Sequence, residues 1–259
     1  MNLNVARSGE GPAVVLLHGL TATHRYVVMG SKNLERSGHD VIAYDARGHG
    51  ESDPGDSYDY GALASDLIDV MDAADVSQAV LAGASMGAHT ALRAALEYSD
   101  RVAGLVIATP GYDPQHHGDD AGLARWDSLS AALREGGVEG FVEAYGPPSS
   151  AEQWNETLVK VLRQRMSAHV HPGAVADALE QVPRSKPFDT FDELATITCP
   201  VAVVGSRDEP DPGHPLATAK AYAAQLKTEL ILEDPGKSPI AWQGGQLSKV
   251  IADVVQRAA

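Results

Sequence analysis

One cysteine, Cys199, stands among 259 residues. A lone thiol makes no internal disulfide, and before Pro200 at the head of an apolar run its reading is packing rather than catalysis. Nowhere do about 18 apolar residues follow one another, so no membrane-spanning helix is expected. The opening residues, Met1 to Arg7, lack the basic start and apolar core of a signal peptide, and we read a soluble cytoplasmic protein. Positive charge is scarce as well. Twenty Lys and Arg face 35 Asp and Glu, a formal net charge of −15, which argues against a nucleic-acid or anionic-membrane partner. No G-x-G-x-x-G follows the first strand pattern, so a dinucleotide phosphate loop is missing. His116 and His117 are adjacent, but successive side chains rarely point at one ion and no third ligand is suitably spaced. We therefore expect neither a metal nor another cofactor.

What is present is ordinary globular material, with 44% hydrophobic and 21% charged residues, enough for one large domain or two small ones. Short β-branched runs at 13–17, 40–44, 78–82, 102–107, 201–204 and 228–232 are nearly continuous in apolar residues, as strands buried on both faces should be. Helical periods lie between them, at 29–37, 60–73, 86–98, 216–226 and 240–256. This alternation is the pattern of an α/β fold with a mostly parallel central sheet flanked by helices. It breaks once. Between about 111 and 186 the chain reads helical throughout (122–135, 138–145, 151–169, 173–182), which predicts a helical cap laid over the strand ends, where open α/β sheets bind ligands. The core is then 1–110 with 187–259.

The strongest local signal is Gly83-Ala84-Ser85-Met86-Gly87, directly after one strand run and directly before a helical one. A serine on a sharp strand-to-helix turn is held at a strained backbone position with its hydroxyl exposed, and N–H groups at the new helix start stabilise an anion. The first long strand ends in His18-Gly19-Leu20-Thr21 at the same sheet edge. An oxyanion hole needs two converging N–H donors, and Leu20 and Met86 supply them. His18 reads as a loop brace.

With Asp45-Ala46-Arg47-Gly48-His49-Gly50-Glu51-Ser52 after the next strand, these segments resemble the α/β-hydrolase superfamily, near its small esterase, lactonase and enol-lactone hydrolase branch. The resemblance covers nearly the whole chain, and the cap is its least specific part. It implies an acyl-serine hydrolase fold with the cap inserted after the sixth strand, and a small-molecule acyl substrate. It makes Asp45, Arg47 and His49 structural. It also points to Asp208, after the run 201–204, as the acid that orients the base, with Glu209 and Asp211 as alternatives. Ser85 separates the chain from the dehalogenase branch, whose nucleophile is an aspartate, but not from the cofactor-free perhydrolases.

One position departs from the family. Its general-base histidine would lie between Gly236 and Ser238, and here that residue is Lys237. All ten histidines lie upstream, and none can occupy that loop. Imidazole titrates near 6.5 and a lysine amine near 10.4, and a carboxylate neighbour favours the ammonium, so Lys237 is a poor base beside Asp208. Three readings follow, in order: an exchange of histidine in an otherwise complete hydrolase, of the kind used to trap acyl-enzymes; a ligand-binding homologue that does not turn over, like the superfamily's sensors and receptors; and a Ser-Lys hydrolase. The candidate site is Ser85, Asp208 and Lys237, with Leu20 and Met86 as oxyanion donors. A mainly apolar cap roof with little positive charge suits an uncharged ester or lactone better than a dianion.

Overall fold

The computed structural model describes residues 1–259. Seven strands form one sheet in the order β1-β3-β2-β4-β5-β6-β7: β1 (Val5–Ser8), β2 (Ala13–Leu17), β3 (Asp40–Tyr44), β4 (Ala79–Ala84), β5 (Val102–Ala108), β6 (Val201–Val204) and β7 (Leu230–Ile231). All neighbours run parallel except the edge pair β1 and β3. The six apolar runs are all strands. β1 is the one that the sequence does not announce: its four residues are exposed, so neither alternation nor an apolar run marks it. β7 shrinks to two residues at the opposite edge.

The helices are α1 (Asn33–Arg36), α2 (Tyr60–Ala73), α3 (Met86–Glu97), α4 (Asp120–Tyr145), α5 (Glu152–Met166), α6 (Pro172–Gln181), α7 (Leu216–Gln225) and α8 (Gly244–Ala258). Strand period sorts the core into two layers. Val15, Leu17, Ile42, Leu81 and Leu105 face α2, α3 and α7, whereas Val14, Leu16, Val41, Val80 and Val106 face α1 and α8. Cys199 packs at the edge of the first layer, and burial pushes its thiol up.

Between β5 and β6 the chain is helical. In chain order this insertion follows the fifth strand, one fewer than the sixth of the expected order. The expected break near 136 is a kink at Gly137 (φ 60°, ψ −149°) inside α4. Leu129, Leu133, Phe141, Leu162, Met166, Val175 and Leu179 give these helices a small core of their own. Two apolar contacts with the sheet body stand out. Ala174, Ala178 and Val182 pack with Met86, Tyr58 and Tyr60, and Trp154 of α5 meets Trp242 edge to face with 6.5 Å between ring centres.

Candidate active site

Ser85 sits between β4 and α3 with φ 51° and ψ −115°, a region that costs a non-glycine residue roughly 1–3 kcal/mol. The turn is held on both sides. Ser85 N–H donates to Ala108 O at 3.0 Å, and the two flanking glycines are steric necessities. A Cβ on Gly83 would lie 2.2 Å from Gly87 O, and one on Gly87 would lie 2.2 Å from Leu17 O. The spacing of small residues around the serine is thus the signature of β2, β4 and α3 meeting at van der Waals limits.

The loop after β2 passes against this elbow. A Cβ on Gly19 would stand 3.3 Å from Ala84 O and 3.4 Å from Ser85 Cβ. Leu20 and Met86 both line the same cavity as Ser85. Leu20 N–H has no backbone acceptor, and Met86 opens α3, where helical N–H groups lack intrahelical partners. Both residues expected to donate to an oxyanion thus belong to the lining of the cavity that Ser85 borders. His18 braces the loop: its Nδ1–H donates to Gly19 O at 2.8 Å, its Nε2 accepts from Ala46 N–H at 2.9 Å, and burial holds it neutral at about 4.

The group that meets Ser85 is not Lys237. His214 Nε2 lies 2.9 Å from Ser85 Oγ, and His214 Nδ1 lies 2.9 and 3.0 Å from the two Asp211 carboxylate oxygens. An acceptor on the Nδ1 side fixes the proton there and leaves Nε2 free to accept from the serine hydroxyl. Acid and imidazole belong to one turn, Asp211-Pro212-Gly213-His214, closed by His214 N–H donating to Asp211 O at 3.2 Å. Proline presets the second position of such a turn, so the side chains at its two ends converge. Burial disfavours the imidazolium, but the charge and hydrogen bond of Asp211 outweigh it, and His214 sits above the ordinary histidine value. Arg165 of α5 opposes that rise, and its Nη2 donates to Thr21 Oγ1 at 3.0 Å.

The expected pairing of Asp208 with Lys237 does not form. Asp208 is exposed, and its Oδ1 accepts from Leu216 N–H at 2.8 Å, which caps the start of α7. Its neighbour Glu209 is exposed too, and its carbonyl receives the Ser149 and Ser150 hydroxyls at 2.9 Å each. Lys237 is exposed on the turn after β7, where its N–H donates to Asp234 O at 3.0 Å and its ammonium pairs with no carboxylate. The imidazole that meets Ser85 thus comes from upstream of the loop where the family resemblance implies it. Its sequence signal is an acid and a histidine three positions apart across a Pro-Gly turn, Asp211 to His214.

The remaining family segment is structural. Asp45 accepts from Asn4 Nδ2 (2.8 Å), His24 N–H and Nδ1 (both 2.8 Å) and Glu51 N–H (3.2 Å). Arg47 grips both Asp66 oxygens at 2.7 Å. At the mouth of the site, His116 pairs with Asp113 (2.9 Å) and His117 reaches Arg184 O (3.2 Å), so the two rings serve separate partners.

Above Ser85 lies a cavity of about 720 Å³ between the sheet edge and the inserted helices. Leu123, Trp126, Leu129 and Tyr145 of α4 form much of its roof, and Arg125 is the one Lys or Arg in its lining. Its size suits a small organic molecule. The arrangement brings together a strained hydroxyl, an imidazole nitrogen 2.9 Å from it and a carboxylate on the far side of that imidazole, at the edge of one cavity. No helix is long and apolar enough to cross a membrane.

The profile of the alpha/beta hydrolase fold family matches residues 12–196. Among curated relatives, the RutD protein of Variovorax paradoxus (strain S110), named for carbamate hydrolysis, is 28% identical over 214 residues, which cover 81% of this chain and 78% of that protein. A thermophilic esterase from Thermogutta terrifontis superposes with a TM-score of 0.83 at 23% identity, covering 99% of this chain and 93% of that one. The enol-lactonase from Burkholderia xenovorans LB400 gives 0.80 at 20% identity, covering 98% and 96%. At those identities the structural likeness speaks for the fold. With that profile spanning most of its length, the chain belongs to the alpha/beta hydrolase fold family.

Proposed function

We propose that this protein is a serine hydrolase that cleaves an uncharged carboxylic ester or lactone through an acyl-serine, with His214 as its base. The observation that carries the reading is the unbroken contact from Ser85 Oγ to His214 Nε2 at 2.9 Å and from His214 Nδ1 to Asp211 at 2.9 Å. As Ser85 Oγ bonds to the carbonyl carbon, its proton passes to Nε2 and the carbonyl oxygen becomes an oxyanion facing Leu20 and Met86 N–H. Collapse breaks the bond to the alkoxide, which leaves with the proton from Nε2. Water then attacks the acyl carbon, giving a proton to Nε2, and the acid departs as Ser85 Oγ takes that proton back. Asp211 stabilises the transient imidazolium.

Lys237 has no part in these steps, so its presence does not imply impaired turnover. The lone Lys or Arg in the cavity lining and its roof of apolar side chains support a neutral substrate. The esterase and lactonase names among the structural neighbours, and the carbamate hydrolase name among the relatives, all describe attack on a carbonyl bearing a heteroatom leaving group. The test is hydrolysis of p-nitrophenyl acyl esters by the chain and by Ser85→Ala, His214→Ala and Lys237→Ala. Loss of about 10⁴-fold with either of the first two, beside near-normal turnover with the third, is the expected result. Turnover lost with Lys237→Ala but kept with His214→Ala would instead establish a Ser-Lys enzyme. Saturable ligand binding without turnover by the unaltered chain would establish a binding protein.

A further inference from the structure

A second polar pair lines the cavity and takes no part in the proton transfers described above. His89 lies one helical turn beyond Ser85 on α3, and Tyr60 opens α2; both border the cavity and both are buried, Tyr60 with 4% of its surface exposed and His89 with 4%. His89 Nε2 faces two backbone donors, Gly111 N–H at 3.3 Å and Tyr112 N–H at 3.2 Å. A protonated Nε2 would set donor against donor, so Nε2 is the acceptor and the ring proton sits on Nδ1. Nδ1 lies 3.1 Å from Tyr60 Oη. The imidazole therefore donates to the phenol oxygen, and the phenol's own hydrogen is left over. The neighbouring hydroxyls form no hydrogen bond with Tyr60 Oη: Tyr112 Oη is engaged with Phe188 O at 2.8 Å and Tyr222 Oη with Tyr112 O at 2.9 Å. Protonation of His89 would leave the Nδ1 donor in place, and burial lowers its pKa to about 3.

A buried hydroxyl normally finds an acceptor, and Tyr60 has none for its hydrogen in the protein. Its ring is fixed by Met86 and Val182 and its backbone N–H by Ser185 Oγ at 2.9 Å, so the phenol cannot swing away to find one. We propose that Tyr60 is a specificity-determining residue, whose hydroxyl donates to a hydrogen-bond acceptor on the acyl part of the substrate, such as a keto oxygen, separate from the carbonyl under attack. The substrate class becomes an ester or lactone whose acyl chain carries a second acceptor oxygen. This inference rests on the hydrolase reading for its kinetic test, but its tautomer test does not.

The tautomer is read by long-range ¹H–¹⁵N correlation of the histidine side chains in the free protein. His89 carrying its proton on Nδ1 is the expected result; a proton on Nε2 would mean that Tyr60 donates to His89, and the proposal falls. The kinetic test compares p-nitrophenyl pentanoate with its 3-oxo and 4-oxo analogues in the chain and in Tyr60→Phe. At least one oxo ester should exceed pentanoate in kcat/KM by about tenfold, the scale of one neutral hydrogen bond. That advantage should vanish in Tyr60→Phe, the ratio of oxo ester to pentanoate in kcat/KM falling to about one. A Tyr60→Phe effect equal for all three esters, or no effect at all, overturns the assignment. If none of the esters shows Ser85-dependent turnover, the hydrolase reading has failed. Calorimetric binding of N-methyl-4-oxopentanamide against N-methylpentanamide, with and without Tyr60→Phe, then decides the Tyr60 assignment: a preference for the oxo amide that depends on Tyr60 supports it, and equal binding refutes it.

Discussion

The loops that follow β6 and β7 leave neighbouring parallel strands at the same edge of the sheet, yet only one of them reaches the serine. The loop after β6 folds back through Asp211 and His214 and ends 2.9 Å from Ser85 Oγ. The loop after β7 turns outward and holds Lys237 in solvent. The resemblance to the family assigns acid and base to separate loops, and here a single turn carries both the carboxylate and the imidazole that line up with Ser85. The difference teaches that the fold fixes where a base must arrive, and leaves open which loop delivers it.

The largest effect that can break this comparison is in the base itself. His214→Ala should lower kcat/KM on p-nitrophenyl esters by about 10⁴-fold, and adding Lys237→His should not restore it. Recovery to within tenfold would mean that the loop after β7 also reaches the serine. Next comes the acid. Asp211→Asn should cost about 10³-fold, because the amide no longer holds the Nδ1 proton or stabilises the imidazolium, whereas Asp208→Asn should cost less than about fivefold. The reverse order would reinstate Asp208 as the orienting acid.

The pH profile separates the two candidate bases on a smaller scale. Ser85 gives up its proton only when the base is neutral, so kcat/KM should fall tenfold per pH unit below the pKa of His214, which Asp211 holds above 6.5. A limb near 10 would name a lysine. The smallest effect is on stability: Asp208→Ala removes the acceptor for Leu216 N–H at the start of α7 and should lower stability by about 1 kcal/mol, a fall in Tm of roughly 2–4 °C, with activity kept.

Acid conditions should also weaken the fold by another route. His18 (about 4), His89 (about 3), His49 and His169 all sit below the free value of 6.5, through burial above all. The unfolded chain therefore takes up protons first as pH drops, and stability falls from about pH 6.5 downward, most steeply towards pH 4. Chemical denaturation at pH 7 and pH 5 measures this directly. Equal stability at the two values would show that these rings protonate in the folded state without penalty.

The sequence made the serine elbow readable because its requirement is local. Gly83 and Gly87 are there for close backbone approach, Ser85 lies between a strand and a helix, and each appears in order along the chain. The six buried strands were readable for the same reason, since two-sided burial demands an unbroken apolar run. β1 was not, because its residues are exposed and its place depends on pairing with β3. The pair that meets Ser85 is hard to read from sequence for a different cause. Several carboxylates crowd the segment after β6, and the one that meets an imidazole is chosen by a turn, not by distance from the strand. Lys237 stands where the resemblance expects the base, and in the structure it is exposed.

The turn from Asp211 to His214 has one more consequence. When acid and base come from loops far apart in sequence, their meeting depends on the whole domain being docked. Here the two are joined by a four-residue hydrogen-bonded unit, so the carboxylate and the ring come into register by local folding alone. Changes of length or composition in the loop after β7 then leave the contact between His214 and Ser85 in place.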